Sequence, residues 1–189
     1  SAARPAPRAD PAPAPAEFIS TKTPPEVLII AEAEKPGGRA VAEEAGTLAT
    51  LLAHFDLTCK IVAAQQYDAG AASRYKSLFY LAGQPDRAAR AAFAADLSGY
   101  EGTVTWIGPG VSELQEMASA LELKENGQLD VPPEAAQWAL SYGGESRPET
   151  LAMPAVSSTN RDLVLAWARR GADSRPFVCG TDRIWYVAA

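Results

Sequence analysis

The stretch EVLIIAEAE constrains the fold most, because Val27 to Ala31 form an uninterrupted apolar run. A strand with one wet face alternates apolar and polar residues. Five apolar residues in a row instead predict a strand buried on both faces, as in a covered parallel sheet. GGRAVAEEAGTLATLLAHF follows, with Val41, Ala45, Leu48, Leu51, Leu52 and Phe55 at helical spacing. TCKIVAA, SLFYLAG and GTVTWIGPG read as further strands, and PDRAARAAFAADLSGY as an Ala-rich helix. SELQEMASALEL predicts a helix capped by Ser112, with Glu113 and Gln115 in its first turn. This alternation predicts an α/β fold: a mostly parallel sheet flanked by helices on both faces. After Leu123 the period changes. PETLAMPAVSST, LVLAWARRG, SRPFVCG and RIWYVAA read as short strands forming an antiparallel C-terminal extension.

The first 22 residues differ from the rest. SAARPAPRADPAPAPAEF is dominated by Ala and Pro, a composition that favours extended polyproline conformations over a packed core. Residues 1–22 are therefore expected to be a disordered tether, and residues 23–189 a single domain. Such tethers are common just after an export signal, so an exported, periplasmic or extracellular protein is expected. The net charge of -6, without a basic stripe, argues against nucleic acid. No apolar run reaches the length of a membrane span. Cys59 and Cys179 fit either one disulfide or two buried thiols.

Ligands of open parallel sheets bind at the carboxyl ends of the strands, so the loops AEAEKPGGRA, LAGQPDR and WIGPGVSEL, together with QQYDAGAASRY, are the ones to inspect. The first has two glycines before a helix but neither a dinucleotide fingerprint nor a P-loop. In the second, Gly83-Gln84-Pro85-Asp86 stands where related sheets place a nucleophile elbow, and it carries no thiol or hydroxyl. Pro85 there fits a first helical position, with Gln84 or Asp86 near the cap. His54, the one histidine, sits late in a helix and fits a dipole or packing role. Glu32, Glu34 and Asp86 read as solvated loop carboxylates before they read as a metal site. No catalytic residue, metal site or cofactor is expected. A bound ligand would meet Glu32, Lys35, Gln84, Asp86 and Arg87, with Trp106 near the floor. Trp106, Trp138, Trp167 and Trp185 could stack on sugar rings, although strand tryptophans more often pack a core.

The order of several segments resembles an exported bacterial family in which an α/β domain precedes a polysaccharide-deacetylase-like barrel. The resemblance is carried by Leu51-Leu52 with His54-Phe55, Tyr67 with Gly70 and Tyr75, Gly83, Trp106 with Gly108, and Trp185 to Ala188. It spans roughly residues 26–189 and implies a flavodoxin-like or class I amidotransferase-like sheet without the nucleophile. It also implies that WYVAA leads into a catalytic domain that this chain lacks, since such a barrel needs an Asp and two His on a metal. The expected function is a non-catalytic accessory domain of an exported carbohydrate-active protein, with polysaccharide or that catalytic domain as partner. A self-contained flavodoxin-like small-molecule binder or enzyme, and a partner-binding module of an envelope assembly, are the alternatives.

Overall fold

A computed structural model of the chain describes residues 24–33, 41–125 and 135–188. The expected tether, Glu34 and Lys35 lie outside the described residues. The apolar run forms β1 (Val27–Ala31), with all five residues buried. Then come α1 (Val41–Ala53), β2 (Cys59–Ala63), β3 (Ser77–Leu81), α2 (Arg87–Leu97), β4 (Thr103–Ile107) and α3 (Gln115–Ala120). The remainder is strands: β5 (Leu123–Glu125), β6 (Ala136–Tyr142), β7 (Glu145–Leu151), β8 (Val156–Ser158), β9 (Val164–Arg170), β10 (Asp173–Gly180) and β11 (Ile184–Val187).

Nine strands form one sheet in the order β2-β1-β3-β4-β11-β10-β9-β6-β7, while β5 and β8 pair separately. This overturns the expectation of a mostly parallel, helix-flanked sheet of flavodoxin-like or class I amidotransferase-like form. The sheet is mixed: the four pairings from β2 to β11 are parallel, and the four from β11 to β7 are antiparallel. Only three α-helices occur among the described residues. The physical cause is that helical crossovers stop after β4. From β6 onward, hairpins connect most of the strands. The last strand, β11, then inserts beside β4 in parallel rather than closing an antiparallel meander.

Two apolar clusters hold the sheet. On one face, α1 lays Val41 and Ala45 against Val27, Ile29 and Leu81. On the other, Phe93 of α2 and Met117 of α3 join Leu28, Ile30, Tyr80, Trp106, Cys179 and Tyr186. The two sheet edges differ. β2 bears one charge, Lys60, whereas β7 is exposed and carries Glu145, Arg147, Pro148 and Glu149. Charges and a proline on an edge discourage pairing with another chain. The β6–β7 turn is Gly143-Gly144, both at positive φ, as a two-residue hairpin turn of the type I′ kind requires.

Candidate site at the strand ends

The carboxyl ends of β1, β3 and β4 converge on Glu32. Its carboxylate accepts hydrogen bonds from the Tyr80 hydroxyl (2.8 Å), the Gly83 amide (2.8 Å) and Arg90 Nε and Nη2 (2.6 and 2.8 Å). Arg90 Nη1 donates to Glu113 at 2.8 Å. Glu32 and Arg90 are each 3% exposed, so the pair is desolvated, and such a charge persists only when its partners are well aligned. Burial works against the charge of Arg90. The hydrogen bond and charge of Glu32, helped by Glu113, outweigh it and hold the guanidinium above its ordinary pKa. Burial, then the charge of Glu32, also pushes the Tyr80 hydroxyl up. Trp106 is the floor: it stacks on Tyr80 at 4.4 Å, and the Arg90 guanidinium lies 5.2 Å from its ring. Its indole N–H donates to the carbonyls of Gly108 and Pro109, at 3.1 Å each.

Two glycines let the chain close around this cluster. A Cβ on Gly83 would stand 2.2 Å from the Ala33 carbonyl oxygen. A Cβ on Gly110, at φ +86°, would stand 2.2 Å from Arg90 Nη1. The strand-end crevice is thus filled by the protein's own ion pair. Glu32 spends its lone pairs on four donors within 2.8 Å, and Arg90 spends three of its N–H groups on two carboxylates.

Of the residues expected to meet a ligand, Glu32 is central but buried, and Trp106 is buried beneath it. Asp86 caps α2, its carboxylate accepting from the Ala89 amide at 3.0 Å. Gln84 and Arg87 are exposed, and the Gln84 amide donates to the Ala33 carbonyl at 3.3 Å. Sequence reasoning missed Arg90, Tyr80 and Glu113. A signal for Arg90 existed: with Phe93 and Leu97 it occupies positions i, i+3 and i+7 of α2, a charge on the apolar stripe.

The expected cap of α3 is corrected as well. Ser112 lies in a 3-10 turn (Val111–Glu113) and its hydroxyl donates to Glu125 at 3.0 Å, while α3 begins at Gln115 after Leu114, without a side-chain cap. Tyr67 and Gly70 pin their loop to α2. The Tyr67 hydroxyl (2.5 Å) and the Gly70 amide (2.7 Å) both donate to Asp96. His54 is exposed, with Nδ1 donating to the Thr50 carbonyl at 2.8 Å. Trp138 is buried, with the guanidinium groups of Arg170 and Arg175 4.8 and 4.9 Å from its ring. Trp167 and Trp185 are half-buried.

Cys59 and Cys179 are both free. Their strands stand five positions apart in the sheet, about 24 Å at the usual strand spacing. A disulfide needs Cα atoms within about 7 Å, so the bridge is excluded in this fold. Burial pushes the Cys179 thiol up to about 12. Among the described residues, no group of three or more His, Cys, Asp and Glu is placed to hold a metal ion.

No family model and no curated protein matches the chain. Solved structures do match in fold. A ThuA-like protein from Bacteroides uniformis is 16% identical at a TM-score of 0.60, over 93% of this chain and 85% of that one. A GH42 β-galactosidase matches over 88% of this chain at 14% identity and a TM-score of 0.51. An exo-β-1,4-mannosidase from an Opitutaceae bacterium matches over 89% at 13% identity and 0.52. The chain spans 27% and 31% of those two glycosidases. At these identities the likeness is one of fold: a mixed-sheet domain that also occurs as a part of much larger chains.

Proposed function

We propose that this chain is a non-catalytic accessory domain of a larger exported carbohydrate-active protein, serving to dock its catalytic domain or help present polysaccharide to it. The observation that carries the reading is the occupied strand-end crevice. Where sheets of this kind commonly receive a ligand, Glu32, Arg90 and Glu113 satisfy one another, and the turn Gly83-Gln84-Pro85-Asp86 offers no nucleophile. The β-galactosidase and mannosidase, in each of which this fold takes up less than a third of the chain, support a role beside a carbohydrate-active domain. The Ala-Pro composition of residues 1–22 supports export.

The test compares the isolated chain with the full polypeptide of its reading frame, with and without residues 24–188. The isolated chain is expected to turn over neither aryl glycosides nor acetylated oligosaccharides. Deleting it should lower the full protein's action on a polymer more than on a short substrate. Turnover by the isolated chain that Glu32→Gln abolishes would overturn the reading, as would a reading frame without a carbohydrate-active domain.

A further inference from the structure

Among the described residues, one sheet face in the second half of the molecule has no helix laid over it. Side chains alternate along a strand, and Trp106, Ala168, Cys179 and Tyr186 all point into the main core. Their neighbours Ile107, Leu165, Trp167, Val178, Trp185 and Val187 therefore share the opposite face, across β4, β11, β10 and β9. On that face of the sheet α1 and its cluster cover β1, β2 and β3 and reach Ile107 of β4, and no helix among the described residues packs broadly on β9, β10 or β11. Leu165 is 42% exposed and the other five are half-buried. The face is also flat: a Cβ on Gly180 would meet the Trp185 ring at 2.4 Å, so this glycine lets the indole lie down on the sheet.

Charge narrows the choice of occupant. The chain carries a net charge of -6, yet no Asp or Glu occupies a position on this face of β4, β9, β10 or β11. Arg169 is the one charged strand residue there, and the Arg161 guanidinium lies 5.9 Å from the Trp167 ring. A second copy docked by a two-fold axis would set these arginines against each other. A glycan would find little to read, because Val178 and Gly180 of β10 lie between the two tryptophans and their backbone is committed to the sheet. A protein surface with an apolar centre and carboxylates at its rim fits both features.

Resting on the function proposed above, we infer that this face docks the catalytic domain of the same polypeptide, through a carboxylate-rimmed apolar patch on that domain. The test is hydroxyl-radical footprinting of Leu165, Trp167 and Trp185 in the full encoded polypeptide and in the isolated chain. The three side chains should be modified several-fold more slowly in the full polypeptide. The double substitution Leu165→Glu, Arg169→Glu should restore the fast rate at Trp167 and Trp185, while leaving the isolated chain's melting temperature nearly unchanged. Equal rates in the two forms overturn the inference. Protection that grows with the isolated chain's concentration assigns the face to a second copy and overturns it too, as does protection of the isolated chain by added acetylated xylan. If deletion of residues 24–188 impairs polymer turnover while this face stays fully reactive, docking here fails and the accessory role stands. If the face is protected by a neighbouring domain without carbohydrate activity, the accessory reading fails and the catalytic domain is overturned as occupant, while the face remains a docking surface.

Discussion

The parallel and antiparallel halves of the one sheet are stabilised differently. In β1 all five side chains are buried, because packing covers both faces. In β9, Ala166 and Ala168 are buried while Leu165 and Arg169 on the other face are exposed, the alternation of a sheet covered on one side. The parallel half pays for its doubly covered strands with polar groups gathered at the strand ends, where Glu32 and Arg90 neutralise each other out of water. The antiparallel half keeps its cations at the margin, stacked on Trp138 and Trp167. The parallel half therefore depends on a few buried partners that must all be present. The antiparallel half tolerates change on its open side.

The sharpest way to break this contrast is Arg90→Met, which strands the buried Glu32 carboxylate. It should cost about 3–5 kcal/mol in urea unfolding, with Glu32→Gln in the same chain recovering much of it. A loss below about 1 kcal/mol would mean that the pair is not buried as described. Within the antiparallel half, Trp138→Ala should cost about 3–5 kcal/mol. Trp167→Ala on the open face should cost much less in the isolated chain, and similar losses for the two would refute an open face. Asp96→Ala removes the acceptor of the Tyr67 and Gly70 donors. It should cost about 1–3 kcal/mol and speed hydrogen exchange at the Gly70 amide.

Alkaline pH probes the shared core. The Cys179 thiol is raised from 9.0 to about 12, and burial raises Tyr67, Tyr80 and Tyr186 as well. The folded state thus holds protons that the unfolded chain releases. Stability from these groups is complete below pH 9 and erodes as pH climbs towards 12, which melting temperatures across that range would record. The smallest effect expected is none at all: a reductant should leave the melting temperature unchanged, since Cys59 and Cys179 are unbridged.

Much of the local structure was legible. The run Val27 to Ala31 coincides with β1, the segments read as β2, β3, α2, β4, β9 and β11 contain those elements, and the one read as β10 misses only Asp173. The β6–β7 hairpin was missed although its signal, Gly143-Gly144 between two strand-forming segments, stood in the sequence. The cap assigned to Ser112 failed because Ser112 falls inside a 3-10 turn and α3 starts only at Gln115; its hydroxyl donates to Glu125 instead, a partner that only the folded chain supplies. At the strand ends, Glu32, Asp86 and Trp106 were picked out by topology. Arg90, the residue that binds that cluster together, was passed over inside an Ala-rich helix.

By itself the sequence determined most of where the chain is strand or helix, because periodicity of burial is written into neighbouring residues. It also determined that the turn at Gly83-Gln84-Pro85-Asp86 holds no nucleophile. Only the tertiary structure decided that β11 enters between β4 and β10, making the sheet mixed. It also decided that Arg90 meets Glu32 across 58 residues of sequence, and that Cys59 and Cys179 stay far apart. These outcomes rest on which distant surfaces fit and which buried charges find partners, and no local pattern records either.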